Sequence, residues 1–379
     1  MVNTLNPNSA ATITAICLLA AIIPSVLLIA PLIVGGMVDH LGFSLEQAGY
    51  VLSVEQFAMA LATFPALLWL HRVNWQHVGY FCLVLIIIGD MISASTDGYV
   101  ALLTVRFLTG IVGGSIMILT LATVNMTAAP DRVFGFWVIG QLVLGAAGLA
   151  ILPNYLSNLG LSAYYLGKAF LCVPLLLTIR HLPSTIAGPL TGSDDLNLTQ
   201  LLRLGVAGLA SIFLFYVALS GVWAYLERLA TAARMDFEII GLVLAISSVA
   251  GIAGASAASI LSTKHGRSVP IIVGFAMLMV SIGMLYGTPT LILFGTAACI
   301  FKFGWTFVLP YMLACITAID PSGRLITTTN LMIGAGLAAG PAVSAYLMQG
   351  RATFVPVLTV GLITGLASLS CILPLSKKG

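Results

Sequence analysis

A few ionisable side chains stand inside apolar stretches of this sequence, and they are the residues able to do chemistry. Arg106 lies about seven residues in from one end of its stretch, roughly 10 Å deep at about 1.5 Å per helical residue. Asp90 reaches a similar depth from a stretch that runs the other way, and Glu55 lies about nine residues into a third. A charge in hydrocarbon is costly unless it is paired or faces water, so either acid is a candidate partner for Arg106. Such a pair offers proton exchange, because a nearby positive charge favours an ionised acid while burial opposes it. The alternative is a static ion pair that holds helices together.

Lys302, in CIFKFGWTF, is too deep to reach either end of its stretch. It calls for a water-filled cavity, an anionic substrate or a proton-linked exchange. Trp305 follows three residues later on the same helical face, and the two together suit an aromatic or amphipathic anion. The competing reading is a buried pair between Lys302 and an acid such as Glu227. Lys168 stands about six residues from the end of its stretch and is expected to snorkel outward. The segment GVWAYLERLA carries Trp223, Tyr225, Glu227 and Arg228. Its aromatic residues fit a gate or an interfacial anchor, and its acid can take a proton or bind a cation. Gln141 and Asn330 can orient a polar ligand, or merely bond across helices.

The elements that must position these groups follow from composition. Of 379 residues, 60% are hydrophobic and only 7% are charged. A soluble domain carries about 25% charged residues, so most of this surface is meant for lipid. Mean hydropathy is +1.10 over the whole chain. The apolar stretches are about 20 residues long, the length of a membrane-crossing helix, and lack the alternation of a β-barrel. The N-terminal MVNTLNPNSA has no basic residue, so the first apolar segment reads as a retained span. The six cysteines lack metal-ligand spacing, and no metal site or cofactor is expected. A net charge of +3 is too small to suggest nucleic acid.

Twelve spans are predicted: Thr14–Val38, Glu46–Leu70, Val78–Ser95, Val100–Val124, Val133–Leu156, Ser162–Ile179, Leu201–Leu226, Phe237–Leu261, Ser268–Tyr286, Thr290–Leu313, Leu325–Leu347 and Phe354–Leu373. With the N-terminus inside, nine basic residues fall on the inner side: Arg72, Arg132, Arg180, Arg203, Lys264, Arg267, Arg324, Lys377 and Lys378. Three fall outside: Arg228, Arg234 and Arg351. This bias predicts that both termini are cytoplasmic. Parity alone also allows ten spans. The longest break is the polar stretch from His181 to Gln200. It separates an N-terminal bundle, 1–180, and a linker, 181–200, from a C-terminal bundle, 201–379. FSLEQAGYVLS, beginning at Phe43, is similar to MDFEIIGLVLA, beginning at Met235, at an offset of 192 residues. Glu46 falls on Glu238, Gly49 on Gly241 and Arg72 on Lys264, which points to parallel repeats.

Two six-helix halves, a central linker and parallel repeats resemble the major facilitator superfamily. Arg106, Gly110, Gly113 and Gly114 in RFLTGIVGG resemble the fourth-span signature of its proton-driven members, drug exporters especially. Gly140, Gly145 and Gly148 resemble the glycine-rich exporter motif of span five, except that Ala146 stands where a proline is usual. The loop after span two keeps Arg72 but lacks the family's acid, with His71 near its place. LSTKHGRS in the second half keeps Lys264, Gly266 and Arg267 and also lacks the acid. The resemblance implies an all-α polytopic protein of twelve transmembrane helices in two pseudo-symmetric six-helix bundles. Spans one, four, seven and ten line the path in such proteins, and spans two, five, eight and eleven flank it. Arg72, Lys264 and Arg267 would belong to inner gating loops, Trp223 and Tyr225 to an outer gate, and Arg106 would tie gating to protonation of a nearby acid.

The function implied is secondary active transport by alternating access. Its leading form is proton-coupled export of a small hydrophobic or amphipathic compound from a bacterial inner membrane, by a monomer. Proton-coupled uptake of a small organic anion, aromatic acids included, is the alternative, and a membrane sensor of the same fold without flux is a third reading. No Walker A loop, Gly-x-Ser-x-Gly, His-Glu-x-x-His or haem motif suggests an enzyme.

Overall fold

A computed structural model of the chain describes residues 6–70, 72–184, 198–261, 266–319, 324–351 and 353–376. Among these residues the regular elements are all α-helices. The chain divides into two compact units, Met1–Pro189 and Leu190–Gly379. The first holds α1 (Ala10–Ile22), α2 (Ser25–Leu28), α3 (Ala30–Leu41), α4 (Leu45–Leu61), α5 (Thr63–Trp69), α6 (Trp75–Ala94), α7 (Tyr99–Asn125), α8 (Pro130–Leu159) and α9 (Ser162–Ile179). The second holds α10 (Leu198–Ala232), α11 (Phe237–Leu261), α12 (Ser268–Gly283), α13 (Leu291–Ile319), α14 (Arg324–Met348) and α15 (Val355–Ser376). Much of the expected linker, residues 185–197, lies outside the described residues, as do His71 and Lys264.

Nine helices among the described residues are long and apolar enough to cross a membrane: α6 to α11, and α13 to α15. The other three expected spans are shorter or broken. The first, read from the sequence as one helix, is interrupted twice. Proline has no N–H, so Pro24 cannot bond the carbonyl of Ala20, and α1 ends at Ile22. A short α2 follows, and α3 starts afresh with Pro31 in its first turn. The second span is likewise two helices. Pro65 cannot bond the carbonyl of Leu61, and α4 ends there. The ninth stops at Gly283 rather than Tyr286. Between the first two spans, Gly42 takes a left-handed φ of 68° that closes α3. Ser44 and Gln47 then form a reciprocal capping box that starts α4.

The broken first span is repaired from a neighbouring helix. Gln141 of α8 donates its Nε2 to the Ala20 carbonyl at 3.0 Å, the acceptor that Pro24 leaves orphaned. Elsewhere, small residues let backbones meet. A Cβ on Gly110 of α7 would lie 2.6 Å from the Glu55 carbonyl oxygen of α4, and one on Gly114 would strike the Met59 carbonyl and approach Ala62 Cβ to 2.7 Å. In the second unit, Gly336 and Gly340 of α14 meet α10 in the same way, with a Gly336 Cβ 2.7 Å from the Phe213 carbonyl oxygen. Ser220 of α10 donates to the Gly336 carbonyl at 3.2 Å. Ser211 and Ser368 exchange hydrogen bonds between α10 and α15 at 2.8 to 3.1 Å. Lipid removes the hydrophobic drive between helices, so close packing and such hydrogen bonds must hold them. The outward faces carry large apolar side chains, among them Phe81, Phe170, Ile260 and Ile292. Only lipid solvates such a surface.

Two alanine substitutions test this packing. Gly114→Ala is expected to lower stability by about 1–3 kcal/mol through overpacking against α4. Gly135→Ala in α8 meets nothing within 4 Å and is expected to be neutral or slightly stabilising. Thermal unfolding in detergent distinguishes the two.

Candidate functional site

The buried charges of the first unit come together. Arg106 of α7 places Nη2 at 2.9 Å from Asp90 Oδ1 of α6, and Nη1 donates to Glu55 Oε1 of α4 at 3.5 Å. The sequence allowed either acid as partner; Arg106 takes both. Lys168 of α9 completes the group, with Nζ 3.8 Å from both Glu55 Oε1 and Asp90 Oδ2. The expectation that Lys168 snorkels outward is therefore wrong. Its residue is only 6% exposed, because two carboxylates inside the bundle attract it more than the interface does. Tyr165, three residues before Lys168 on the same helix, lays its ring 4.7 Å from the Arg106 guanidinium carbon. Four helices thus supply two positive and two negative groups, and the cluster is neutral when all are ionised.

Local packing sets this geometry. Gly89 precedes Asp90, and a Cβ there would collide with Thr109 of α7. The missing side chain lets α6 and α7 approach closely enough for the 2.9 Å pair. Gly110 does the same for α4 and α7, one turn from Arg106. The ion pairs are nevertheless imperfect as hydrogen bonds. Both Asp90 oxygens and the Arg106 Nε and Nη2 are enclosed without a well-angled partner among the described residues. The short distance makes Asp90 and Arg106 an ion pair, while the angles leave spare capacity for a proton or a small polar ligand.

A different cluster lies in the second unit. Lys302 of α13 is 5% exposed, and its Nζ sits 3.5 Å from the ring centre of Trp223 and 4.4 Å from that of Trp305. Phe301 and Tyr216 pack edge-on against Trp305. The competing reading, a pair between Lys302 and Glu227, is not what forms. Glu227 is fully buried and takes Arg228 Nε and Nη2 at 2.6 and 2.7 Å and Thr231 Oγ1 at 2.6 Å. Trp223 and Tyr225 are buried among helices.

The other sequence candidates are scattered. Gln141 serves the Ala20 carbonyl, and Asn330 is exposed on α14. Arg72 is exposed in the turn between α5 and α6, and Arg267 is half-buried at the start of α12. The turn after α5 has ties of its own. Trp75 donates Nε1 to the Leu70 carbonyl at 2.8 Å and its backbone N–H to the Ser184 carbonyl at 3.0 Å. Gln76 donates to the Arg180 and Leu182 carbonyls at 3.1 and 2.7 Å. Lys168, Tyr165 and Tyr216 are the residues that the sequence reading passed over as site members. The depth of Lys168, matched to that of the two acids, was the available signal.

Removing Arg106 leaves Lys168 as the one cation against two buried carboxylates. Arg106→Ala is expected to cost about 3–5 kcal/mol, and Arg106→Ala with Asp90→Ala less than the sum of the two single changes. A double-mutant cycle on thermal unfolding measures this coupling.

The profile of the Major Facilitator Superfamily matches residues 13–341. The fold is similar to the crystal structure of a mutant of the nucleoside transporter NupG, with a TM-score of 0.73 at 14% identity, over 96% of this chain and 98% of that one. It is also similar to the structure of a bacterial homolog of the human lysosomal transporter Spinster, inward-facing and unoccupied. That match has a TM-score of 0.63 at 13% identity, over 96% of this chain and 95% of the other. No curated protein matches.

Proposed function

Because the chain belongs to the major facilitator superfamily, we propose that it is a proton-coupled secondary transporter working by alternating access. The observation that carries the coupling is the buried cluster of Glu55, Asp90, Arg106 and Lys168. Glu55 is the exchanging member. Its contacts, 3.5 and 3.8 Å, are the longer ones, so it gives up less on taking a proton than Asp90, held at 2.9 Å. Asp90 then remains as the fixed counter-charge. A proton on Glu55 leaves the cluster with one excess positive charge and loosens Lys168 and one arm of Arg106. That ties α4 and α9 to the protonation state, a two-state element of the kind that alternating access needs.

In this proposal the N-terminal bundle 1–180 and the C-terminal bundle 201–379 are the rocking halves, and the protein works as a monomer in a bacterial inner membrane. Both termini are cytoplasmic, in keeping with nine basic residues against three in the connections. Export of a small hydrophobic or amphipathic compound is the reading supported by Arg106, Gly110, Gly113 and Gly114 in α7. Uptake of a small organic anion is the second reading, favoured by Lys302 between two indoles.

The test is proton flux in liposomes that hold a pH-sensitive dye under an inward proton gradient. Lipophilic cations, neutral drugs and aromatic acids are added in turn. A solute that moves protons through wild type is expected to move none through Arg106→Ala or Glu55→Gln. The sign of the flux separates exchange from co-transport. Ligand binding by folded protein with no flux of solute or protons would sink the proposal in favour of a sensor.

A further inference from the structure

The two repeats differ at the helix crossing that carries Lys302. The 192-residue offset places Lys302 on Gly110, and Thr306 on Gly114. In the first unit no side chain fits at either position, because the α4 backbone lies against them. In the second unit the glycine stands on the other helix. A Cβ on Gly254 of α11 would collide with the Phe303 carbonyl and lie 2.6 Å from Thr306 Oγ1. Thr306 meanwhile donates to the Gly251 carbonyl of α11 at 2.6 Å. With the small residue moved to α11, α13 is able to carry side chains where α7 must be bare. The long side chain carried there is an ammonium, 5% exposed, with indoles as its neighbours and no ion pair to a carboxylate among the described residues.

We propose that Lys302, Trp223 and Trp305 form a subsite for the carboxylate and flat body of an aromatic monocarboxylate cargo. This rests on the transporter reading and gives it a substrate class. Without cargo, the two indole faces solvate the ammonium. A desolvated cation–π contact is the weaker partner, and a carboxylate offers a charge-assisted hydrogen bond in its place. As Nζ turns to the carboxylate, it vacates an indole face, and a planar ring can stack where the ammonium was. One anion therefore replaces both functions of the aromatic pair. A neutral molecule of the same shape can take the stacking position only by stranding the ammonium. A cation is repelled outright.

The experiment uses the full-length protein in detergent, with benzoate, the neutral isostere benzamide, and acetate as probes. Tryptophan emission and thermal unfolding are the two readouts. Benzoate is expected to bind more tightly than benzamide by about tenfold or more, the equivalent of one charge-assisted hydrogen bond. Lys302→Met, a linear side chain one atom shorter that removes a buried charge, is expected to remain folded and lose that preference. Trp305→Leu is expected to weaken benzoate more than acetate. Equal affinity for benzoate and benzamide, binding of neither, or a benzoate preference surviving in Lys302→Met would each overturn the subsite. Proton flux that depends on Arg106 with some other solute, together with any of these, would leave the transporter reading standing. A benzoate site that depends on Lys302 in a protein without flux would do the reverse.

Discussion

A guanidinium in a hydrocarbon slab must bring its own counter-charges, and the first unit is arranged around that requirement. Arg106 alone would be too costly to bury. With Asp90 at 2.9 Å, Glu55 at 3.5 Å and Lys168 balancing the second acid, the group becomes neutral and can stay inside. The four charges sit on α4, α6, α7 and α9, so no one of these helices can shift much without leaving a partner exposed to apolar surroundings. Electrostatics therefore ties together helices that lipid gives no hydrophobic reason to associate. The same neutrality is fragile, since one added proton unbalances it.

Charge pairing at this range needs helix axes close together, and small residues provide the approach. Gly89 brings α6 to α7, and Gly110 and Gly114 bring α7 to α4. The glycines of the α7 signature are thus inseparable from its arginine: the arginine needs acids from neighbouring helices, and the glycines let those helices reach it. Prolines make the complementary demand. Pro24 interrupts the first span and frees the Ala20 carbonyl, and Gln141 of α8 answers it at 3.0 Å. A residue that reads as a ligand-binding amide is in this fold the repair of a proline break.

The second unit takes the same crossing and uses it for something else. Glu55 has its repeat counterpart in Ser247, Asp90 in Ile282 and Arg106 in Ala298, so the charge cluster has no equivalent there. Where the first unit has the bare backbone of Gly110, the second has Lys302 beneath two indoles. Duplication preserved the helix order and the need for a small residue at the crossing. It left open which helix supplies that residue. With the glycine on α11, α13 carries side chains, Lys302 and Thr306, at the positions that are glycine in α7.

The apolar stretches determined the helical, multi-pass character by themselves; the family resemblance needed the repeat, the linker and the RFLTGIVGG signature as well. A segment of about 20 residues in lipid must satisfy its backbone internally, and only a helix does so. Counting apolar residues did not reveal that Pro24 and Pro65 divide spans one and two into separate helices. The depths of Glu55, Asp90 and Arg106 were legible too, since depth follows from counting residues at about 1.5 Å each. What sequence could not decide was azimuth. Each helical residue turns the side chain by about 100°, so the packing rotation of α9 decides whether Lys168 meets lipid headgroups or two carboxylates. Rotation likewise gave Glu227 to Arg228 rather than Lys302, and left Lys302 to the indoles. Those rotations are set by which small residues face each other across a crossing, and that is decided only when the helices are packed together.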